Sequence, residues 1–287
     1  MINNIKDISA EFKNKLQNIY LLNEIQQILF IVFEEYANLS KVEVITYPEK
    51  EITETQYEKI KNILSKLIEE KPIQYILGKA DFYGMTFYVN NHVLIPRQET
   101  EELVDYIINH HKDRQLLSVI DFGTGSGCIA ISLAANLLQP NIYAVDISTE
   151  AIKTARKNAA FSRVSVNFIK NDILNLDFSI LPDKVDIIVS NPPYVCNSEK
   201  KLMKKNVLEY EPQTALFVND NNPLIFYDKI AIAGTKLLKK KGNIIFEINE
   251  KFAMQIKNLL ISKGYENIEI IKDLNGKDRI VKAVIIS

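Results

Sequence analysis

A chain of 287 residues is too long for one average domain and fits one large domain or two unequal ones. With 47% hydrophobic and 25% charged residues it can build a substantial core, and 35 Lys+Arg against 36 Asp+Glu leave a net charge of -1. That balance argues against a protein whose main affinity comes from neutralising many phosphates, and so against stable nucleic-acid binding. The two cysteines, Cys128 and Cys196, form neither a disulfide framework nor a metal-ligand spacing. A reducing, cytoplasmic compartment is therefore expected, and no metal centre.

Met1-Ile2-Asn3-Asn4-Ile5-Lys6-Asp7 lacks a basic region followed by an apolar core, so no signal peptide is expected. The longest early apolar run, Ile28 to Phe33, is too short to span a bilayer. Ile19, Leu22, Ile25, Ile28, Leu29, Val32 and Phe33 recur in steps of three and four, which predicts one face of a helix. Tyr57, Ile60, Ile63, Leu64 and Leu67 predict another. Tyr47-Pro48-Glu49-Lys50 breaks the pattern between them, and Thr53 with Gln56 has capping-box spacing for a new start. Residues 1–75 therefore read as a small all-α domain whose expected role is packing or partner recognition.

Residues 76–98 read as a β-hairpin linker, with Asn90-Asn91 turning between Phe82–Val89 and Val93–Arg97. Thr100 is the expected N-cap of the next helix, which carries acids in its first turn. From there to residue 287 strand and helix alternate. Strands are predicted at Ser118–Asp121, Ile142–Asp146, Val164–Ile169 and Val185–Ser190, with helices at about 127–138 and after Ser148. Each connection leaves room for the crossover of about a dozen residues or more that parallel pairing needs. A later strand at Asn243–Ile248, a helix at Lys251–Lys263 closed by Gly264, and two β-rich runs around Asn275-Gly276 complete the pattern. The fold class is a doubly wound α/β sheet ending in an antiparallel hairpin at or near its edge.

Two motifs carry chemistry. Asp121-Phe122-Gly123-Thr124-Gly125-Ser126-Gly127 follows the first strand and opens its helix, where glycines let backbone approach a ligand closely. Asp146, ending the second strand, can accept from two ribose hydroxyls. Gly125-Ser126-Gly127-Cys128-Ile129-Ala130 also fits the dinucleotide pattern G-x-G-x-x-A. Asp121, two residues before the first glycine, is poorly placed beside a pyrophosphate and well placed to organise a loop around an ammonium. With Asp172 after the third strand able to accept from an adenine amine, S-adenosylmethionine is the expected cofactor.

The second motif is Asn191-Pro192-Pro193-Tyr194. The apolar run Val185–Val189 predicts a buried strand, and two prolines must end it. What remains is a rigid hook of one carboxamide, backbone carbonyls and a flat ring, suited to gripping a planar group that carries an NH2; the bland alternative is a strand terminator. Arg97 is a candidate for orienting the substrate, with an ion pair to Glu99 or Glu101 as its alternative. His110-His111 reads as a solvated helix end rather than a metal site. Lys200, Lys201, Lys204 and Lys205, at helical spacing, read as a solvated face whose contact with an acidic partner stays open.

With both motifs in place, the chain resembles the protein-(glutamine-N5) methyltransferases that act on peptide chain release factors (the PrmC/HemK family). Pro72–Gly78, Val93–Glu101, Asp121–Gly127, Asn191–Tyr194, Glu211–Leu216 and Asp273–Arg279 carry the resemblance, which covers nearly the whole chain. It implies a Rossmann-like class I methyltransferase sheet behind a helical N-terminal domain. It also implies methyl transfer to the glutamine amide of the Gly-Gly-Gln motif in class 1 release factors, modulating translation termination. The cofactor residues implied are Asp121, Gly123, Thr124, Gly125, Ser126, Gly127, Asp146, Asp172, Ile173 and Asn191; the substrate residues are Asn191, Pro192, Pro193 and Tyr194. Gln98 stands where a second proline is common, and Ile173 where an aromatic is often found, which makes the adenine wall aliphatic. The rival activity is N6-adenine or N4-cytosine methylation of DNA, but base flipping needs a basic groove that this charge balance does not provide. A scaffold without catalysis is the other alternative, disfavoured by an intact hook beside an intact glycine loop.

Overall fold

The computed structural model describes residues 3–286; Met1 and Ile2, which begin the stretch read as lacking a signal peptide, and Ser287 lie outside them. The chain forms two compact units. One holds the chain up to Leu77 together with Lys205–Tyr210; the other holds Gly78–Lys204 and the chain from Glu211 onward.

In the first unit, helices α1 (Ile5–Leu16), α2 (Leu22–Ala37), α3 (Lys41–Thr46), α4 (Glu54–Ile68) and α5 (Ile73–Leu77) surround one core. Ile8 and Phe12 of α1, Ile25, Val32 and Phe33 of α2, and Ile60 and Leu64 of α4 are buried, as their spacing requires. Leu22 is the exception: it opens α2 and is 59% exposed. The capping box at Thr53 forms, with Thr53 Oγ1 accepting from the Gln56 amide at 3.3 Å and Gln56 Oε1 from the Thr53 amide at 3.1 Å. The unit is not purely helical. Asn3–Asn4 pairs antiparallel with Glu51–Ile52, because the Tyr47–Lys50 turn folds the chain back beside α1. The short helix Lys205–Tyr210 belongs here too: Tyr210 Oη donates to the Glu69 carbonyl at 2.9 Å, and Lys205 Nζ lies 3.5 Å from Glu70.

The second unit opens with a hairpin of β1 (Lys79–Phe82) and β2 (Met85–Tyr88). Its turn is Tyr83-Gly84, with both residues at positive φ, and not the expected Asn90-Asn91. Val93–Pro96 forms no strand. Asn90 instead builds a local turn, accepting from the His92 amide at 2.9 Å and donating to Thr154 Oγ1 at 3.0 Å. Helix α6 (Gln98–His111) starts one turn before the predicted cap, so Thr100 lies inside the helix with its side chain buried.

Strands β3 (Ser118–Phe122), β4 (Asn141–Asp146), β5 (Asn167–Lys170), β6 (Val185–Ser190), β7 (Leu238–Glu247), β8 (Tyr265–Lys272) and β9 (Asp278–Ile285) form one sheet in the order β8-β9-β7-β6-β3-β4-β5. The five strands from β7 to β5 are parallel; β9 pairs antiparallel with β7, and β8, antiparallel to β9, runs in the direction of the five. The last strand therefore sits one place in from the edge. Helices α7 (Cys128–Asn136), α8 (Thr149–Phe161), α9 (Ile225–Leu237) and α10 (Ala253–Ser262) complete the doubly wound arrangement. Alternate strand residues feed opposite layers: Ile188, Ile244 and Phe246 pack toward α9 and α10, Ile187, Val189 and Ile245 toward α6 and α7. Strand order reverses between β3 and β6, so the carboxyl ends of those strands open a crevice there.

Gly234 lets α9 lie against Tyr265, whose hydroxyl donates to the Ala231 carbonyl at 2.8 Å. A Cβ at Gly234 would stand 2.1 Å from that hydroxyl. Gly234→Ala is expected to cost about 3 kcal/mol of stability by urea unfolding; an unchanged midpoint would show that the contact relaxes freely. No helix among the described residues is long and apolar enough to cross a membrane.

Candidate active site

The glycine loop is shaped by its own backbone bonds. The Gly123 and Thr124 amides both donate to the Val145 carbonyl, at 2.8 and 3.0 Å, which turns the chain back over β4. Gly127, at φ 82, starts α7 where it crosses α8; a Cβ there would meet Ile131 Cδ1 at 2.8 Å and Ala155 Cβ at 3.1 Å. Asp146 holds the other side. Its Oδ2 accepts from the Gly125 amide and its Oδ1 from the Ser148 amide, both at 2.8 Å. Each oxygen keeps a further lone pair for a ligand hydroxyl. Burial pushes the Asp146 carboxyl upward, with those backbone amides opposing.

Asp121 lies fully buried beneath the loop. Oδ2 accepts from Thr124 Oγ1 at 2.6 Å, while Oδ1 has no partner. Burial, with Asp146 nearby, pushes its carboxyl up to about 7. The folded state thus holds a proton that the unfolded chain releases near the ordinary carboxylate value. This contribution is fully present below about pH 4 and is lost as pH rises through about 7. Asp121→Asn should flatten that decline in the unliganded protein. Melting temperatures between pH 4 and 8 test it, and parallel profiles for the two proteins would contradict it.

Asp172 ends the β5 connection, and its two oxygens accept from the Leu174 amide and Asn175 Nδ2, each at 2.9 Å. It therefore caps the following turn as well as facing the crevice. Ile173 is buried beside the glycine loop.

A cavity of about 460 Å³ joins these groups to the hook; Gly123, Gly125, Asp146, Asp172, Ile173, Asn191 and Pro193 all line it. Leu94, Pro212, Ala215, Phe217 and Phe226 form further walls. Thr124, Ser126, Gly127, Pro192 and Tyr194 do not line it, nor do Asp121 and Arg97. Ser126 is held through its carbonyl, which accepts from Asn158 Nδ2 at 2.9 Å.

At the hook, Ser190 Oγ donates to the Phe122 carbonyl at 2.6 Å and pins the end of β6 to β3. Asn191 Nδ2 donates to Thr100 Oγ1 at 3.1 Å, and Thr100 Oγ1 donates to Glu247 Oε2 at 2.6 Å. Tyr194 Oη donates to the other carboxylate oxygen, Glu247 Oε1, at 3.1 Å. Burial and that carboxylate hold the Tyr194 phenol far above its ordinary value, so it stays protonated. Glu247, at the carboxyl end of β7, is buried, and burial raises its own carboxyl.

Arg97 pairs with neither Glu99 nor Glu101. Its Nη2 lies 2.5 Å from Glu211 Oε1, and Glu211 Oε2 accepts from the Ile95 amide at 3.2 Å. Glu211 is a buried carboxylate that meets the Arg97 guanidinium, whereas α6 turns Glu101 toward the Tyr83 amide at 3.0 Å. His110 is exposed at the end of α6 and its Nδ1 donates to the Tyr106 carbonyl at 2.8 Å; burial pushes the His111 imidazole down to about 4. No group of His, Cys, Asp and Glu that could hold a metal ion occurs among the described residues. The lysines do not share one helix: Lys200 and Lys201 lie in a 3-10 segment, and Lys205 opens an α-helix. Lys200 Nζ sits 4.3 Å from the Phe217 ring centroid.

Thr100, Glu211 and Glu247 were missed as site residues in the sequence. For Glu247 a signal existed, an acid closing an otherwise apolar strand; Thr100 had none beyond its resemblance to a cap.

Residues 8–78 match the family model for the PrmC N-terminal domain, and residues 100–215 that for the methyltransferase small domain. A release factor glutamine methyltransferase of Flavobacterium psychrophilum is 43% identical, covering 97% of this chain and 98% of the relative. The chain belongs to the release factor glutamine methyltransferase family. A family member from Bacteroides thetaiotaomicron is 40% identical, over 96% of this chain and 98% of its own. Among solved structures, a methyltransferase from Pyrococcus furiosus covers 79% of this chain and 99% of its own at 17% identity and a TM-score of 0.53, a likeness of fold. Val93 and Leu94, the loop glycines Gly123 and Gly125, and the hook residues Asn191 and Pro193 line one cavity.

Proposed function

We propose that this protein transfers a methyl group from S-adenosylmethionine to the side-chain amide nitrogen of the glutamine in the Gly-Gly-Gln motif of class 1 peptide chain release factors. The observation that carries this reading is the orientation of Asn191. Its Nδ2 is spent on Thr100, so Oδ1 is the end of the amide left to accept from a planar NH2 at the cavity rim.

The residues present fit the cofactor. Asp146 would hold the ribose hydroxyls with its remaining lone pairs, Asp172 and Ile173 would border the adenine, and Asp121, buried beneath the glycine loop, would organise that loop around an ammonium. When bound, S-adenosylmethionine supplies a sulfonium methyl already activated toward a nucleophile.

The chain's own task is alignment, which can lower a barrier by roughly 7–11 kcal/mol. A glutamine nitrogen is a weak nucleophile because its lone pair is delocalised into the carbonyl. Asn191 Oδ1, at the cavity, accepts one of its N–H bonds and the Pro192 backbone carbonyl, off the cavity wall in the unliganded protein, would accept the other; together they fix the NH2 plane and stabilise the positive charge that develops on nitrogen. Pro192 and Pro193 keep those acceptors rigid. Tyr194, bonded to Glu247, acts here by holding the hook rather than as a base, and the N-methylated amide cation loses its proton to water.

The helical unit serves partner recognition in this reading. Val42, Ile45 and Tyr47 on and after α3 are each more than half exposed and offer apolar side chains to a partner.

Incubation with tritiated S-adenosylmethionine and three substrates tests the assignment: a class 1 release factor, duplex DNA and ribosomal protein. Label on the release factor, mapped by mass spectrometry to the Gly-Gly-Gln glutamine, is the expected result. Label on DNA or ribosomal protein alone would overturn it.

A further inference from the structure

We propose that Thr100 and Glu247 are positioning residues that set which end of the Asn191 amide faces the substrate; the inference rests on the reading above. A directed chain of hydrogen bonds carries it. Glu247 is buried, and each of its oxygens accepts one O–H, from Thr100 at 2.6 Å and from Tyr194 at 3.1 Å. A carboxylate can only accept. Thr100 therefore must give its single proton to Glu247, which leaves its oxygen as an acceptor for Asn191 Nδ2 at 3.1 Å. Through this relay the Asn191 amide is locked with Oδ1 toward the cavity.

Neither Thr100 nor Glu247 touches the cavity: both are absent from its walls, and both side chains are buried. A buried carboxylate is costly and needs compensation. Arg279 supplies charge nearby and draws the Glu247 carboxyl down against the effect of burial, while Glu99 pushes it up. Arg279 is itself held by Asp273 Oδ2 at 3.2 Å and the Ile248 carbonyl at 3.4 Å. Arg279 of the C-terminal hairpin thereby bears on Glu247 through its charge.

The chemistry makes orientation decisive. With Oδ1 outward, Asn191 accepts from the substrate NH2. Flipped, it would present a second NH2, donor against donor. Glu247→Gln removes the acceptor-only end: an amide at that position can donate to Thr100, whose proton then turns toward Asn191 and favours the flipped form. Thr100→Val removes the middle link and leaves Asn191 free to rotate.

Steady-state kinetics on full-length protein with intact release factor, together with NMR of the Asn191 side-chain NH2, test the inference. Thr100→Val and Glu247→Gln should each lower kcat by about 10–100-fold, the usual range for a supporting residue that orients a site ligand. Cofactor affinity by calorimetry should not change, and the Asn191 NH2 signal should move toward that of a free amide. Thr100→Ser, which keeps the hydroxyl, should recover most of the lost rate and the native signal. A Thr100→Val protein with wild-type kcat and an unmoved Asn191 signal would overturn the inference while wild-type methylation of the factor left the function standing. If Glu247→Gln does not fold, the Thr100→Val and Thr100→Ser pair decides alone. Absence of transfer by the wild type would instead remove the assigned function, and the inference with it.

Discussion

Asn191→Ala is expected to lower methyl transfer by about a hundred- to a thousand-fold, the loss seen when one preorganised polar group facing developing charge is removed. Two effects add. A substrate N–H left without an acceptor in a closed site costs about 1–3 kcal/mol. Loss of a fixed NH2 plane then forfeits part of the alignment that carries the reaction. Cofactor binding should survive, because Gly125 and Asp146 are bonded to each other and not to Asn191. Asn191→Asp is the sharper control. It preserves shape and adds an acceptor but cannot donate to Thr100, and it places a second carboxylate next to the Glu247 relay. It should be impaired as well. Single-turnover transfer with labelled cofactor, alongside calorimetry for cofactor affinity, separates the outcomes. A near wild-type rate for Asn191→Ala would end the clamp mechanism, and loss of cofactor binding would place Asn191 in the cofactor site first.

Arg97→Ala is expected to destabilise the second unit by about 3 kcal/mol, the low end for breaking a buried ion pair by removing one partner. The buried partner is Glu211, whose carboxylate keeps only the Ile95 amide once the guanidinium is gone. Arg97 itself retains about a third of its side-chain surface in water, and for that reason the low end applies. The consequence reaches the site. The pair ties the Val93–Arg97 segment to the Glu211–Leu216 segment, and Val93, Leu94, Pro212 and Ala215 are walls of the cavity. Weaker cofactor binding should therefore accompany the lower stability. Arg97→Ala combined with Glu211→Leu should regain stability, since no buried charge is then left unpaired. Denaturant unfolding of the single and double variants checks this. A double variant no more stable than Arg97→Ala would mean that Arg97 acts by packing and not by charge.

Several features were legible without coordinates because they are local. The Thr53–Gln56 capping box, the glycine loop, the Ser148 cap and the strand ended by Pro192-Pro193 each depend on residues a few positions apart. The Asn90-Asn91 hairpin failed for the same local reason. Tyr83-Gly84 turns equally well, and pairing of Phe82 with Met85 closes the shorter loop first. Thr100 looked like a cap because cap chemistry and a buried hydroxyl relay use the same residue type.

What the sequence determined by itself was the alternation of strand and helix, the acid and glycines of the loop, and the hook with its resemblance to glutamine methyltransferases. These follow from periodicity, from prolines that cannot donate, and from motifs contiguous in the chain. Only the tertiary structure decided the partner of Arg97, 114 residues away at Glu211, and the relay from Asn191 through Thr100 to Glu247, which spans separations of 91 and 147 residues. Buried polar groups must find partners wherever the fold brings them. That requirement is global, and no window of sequence contains it.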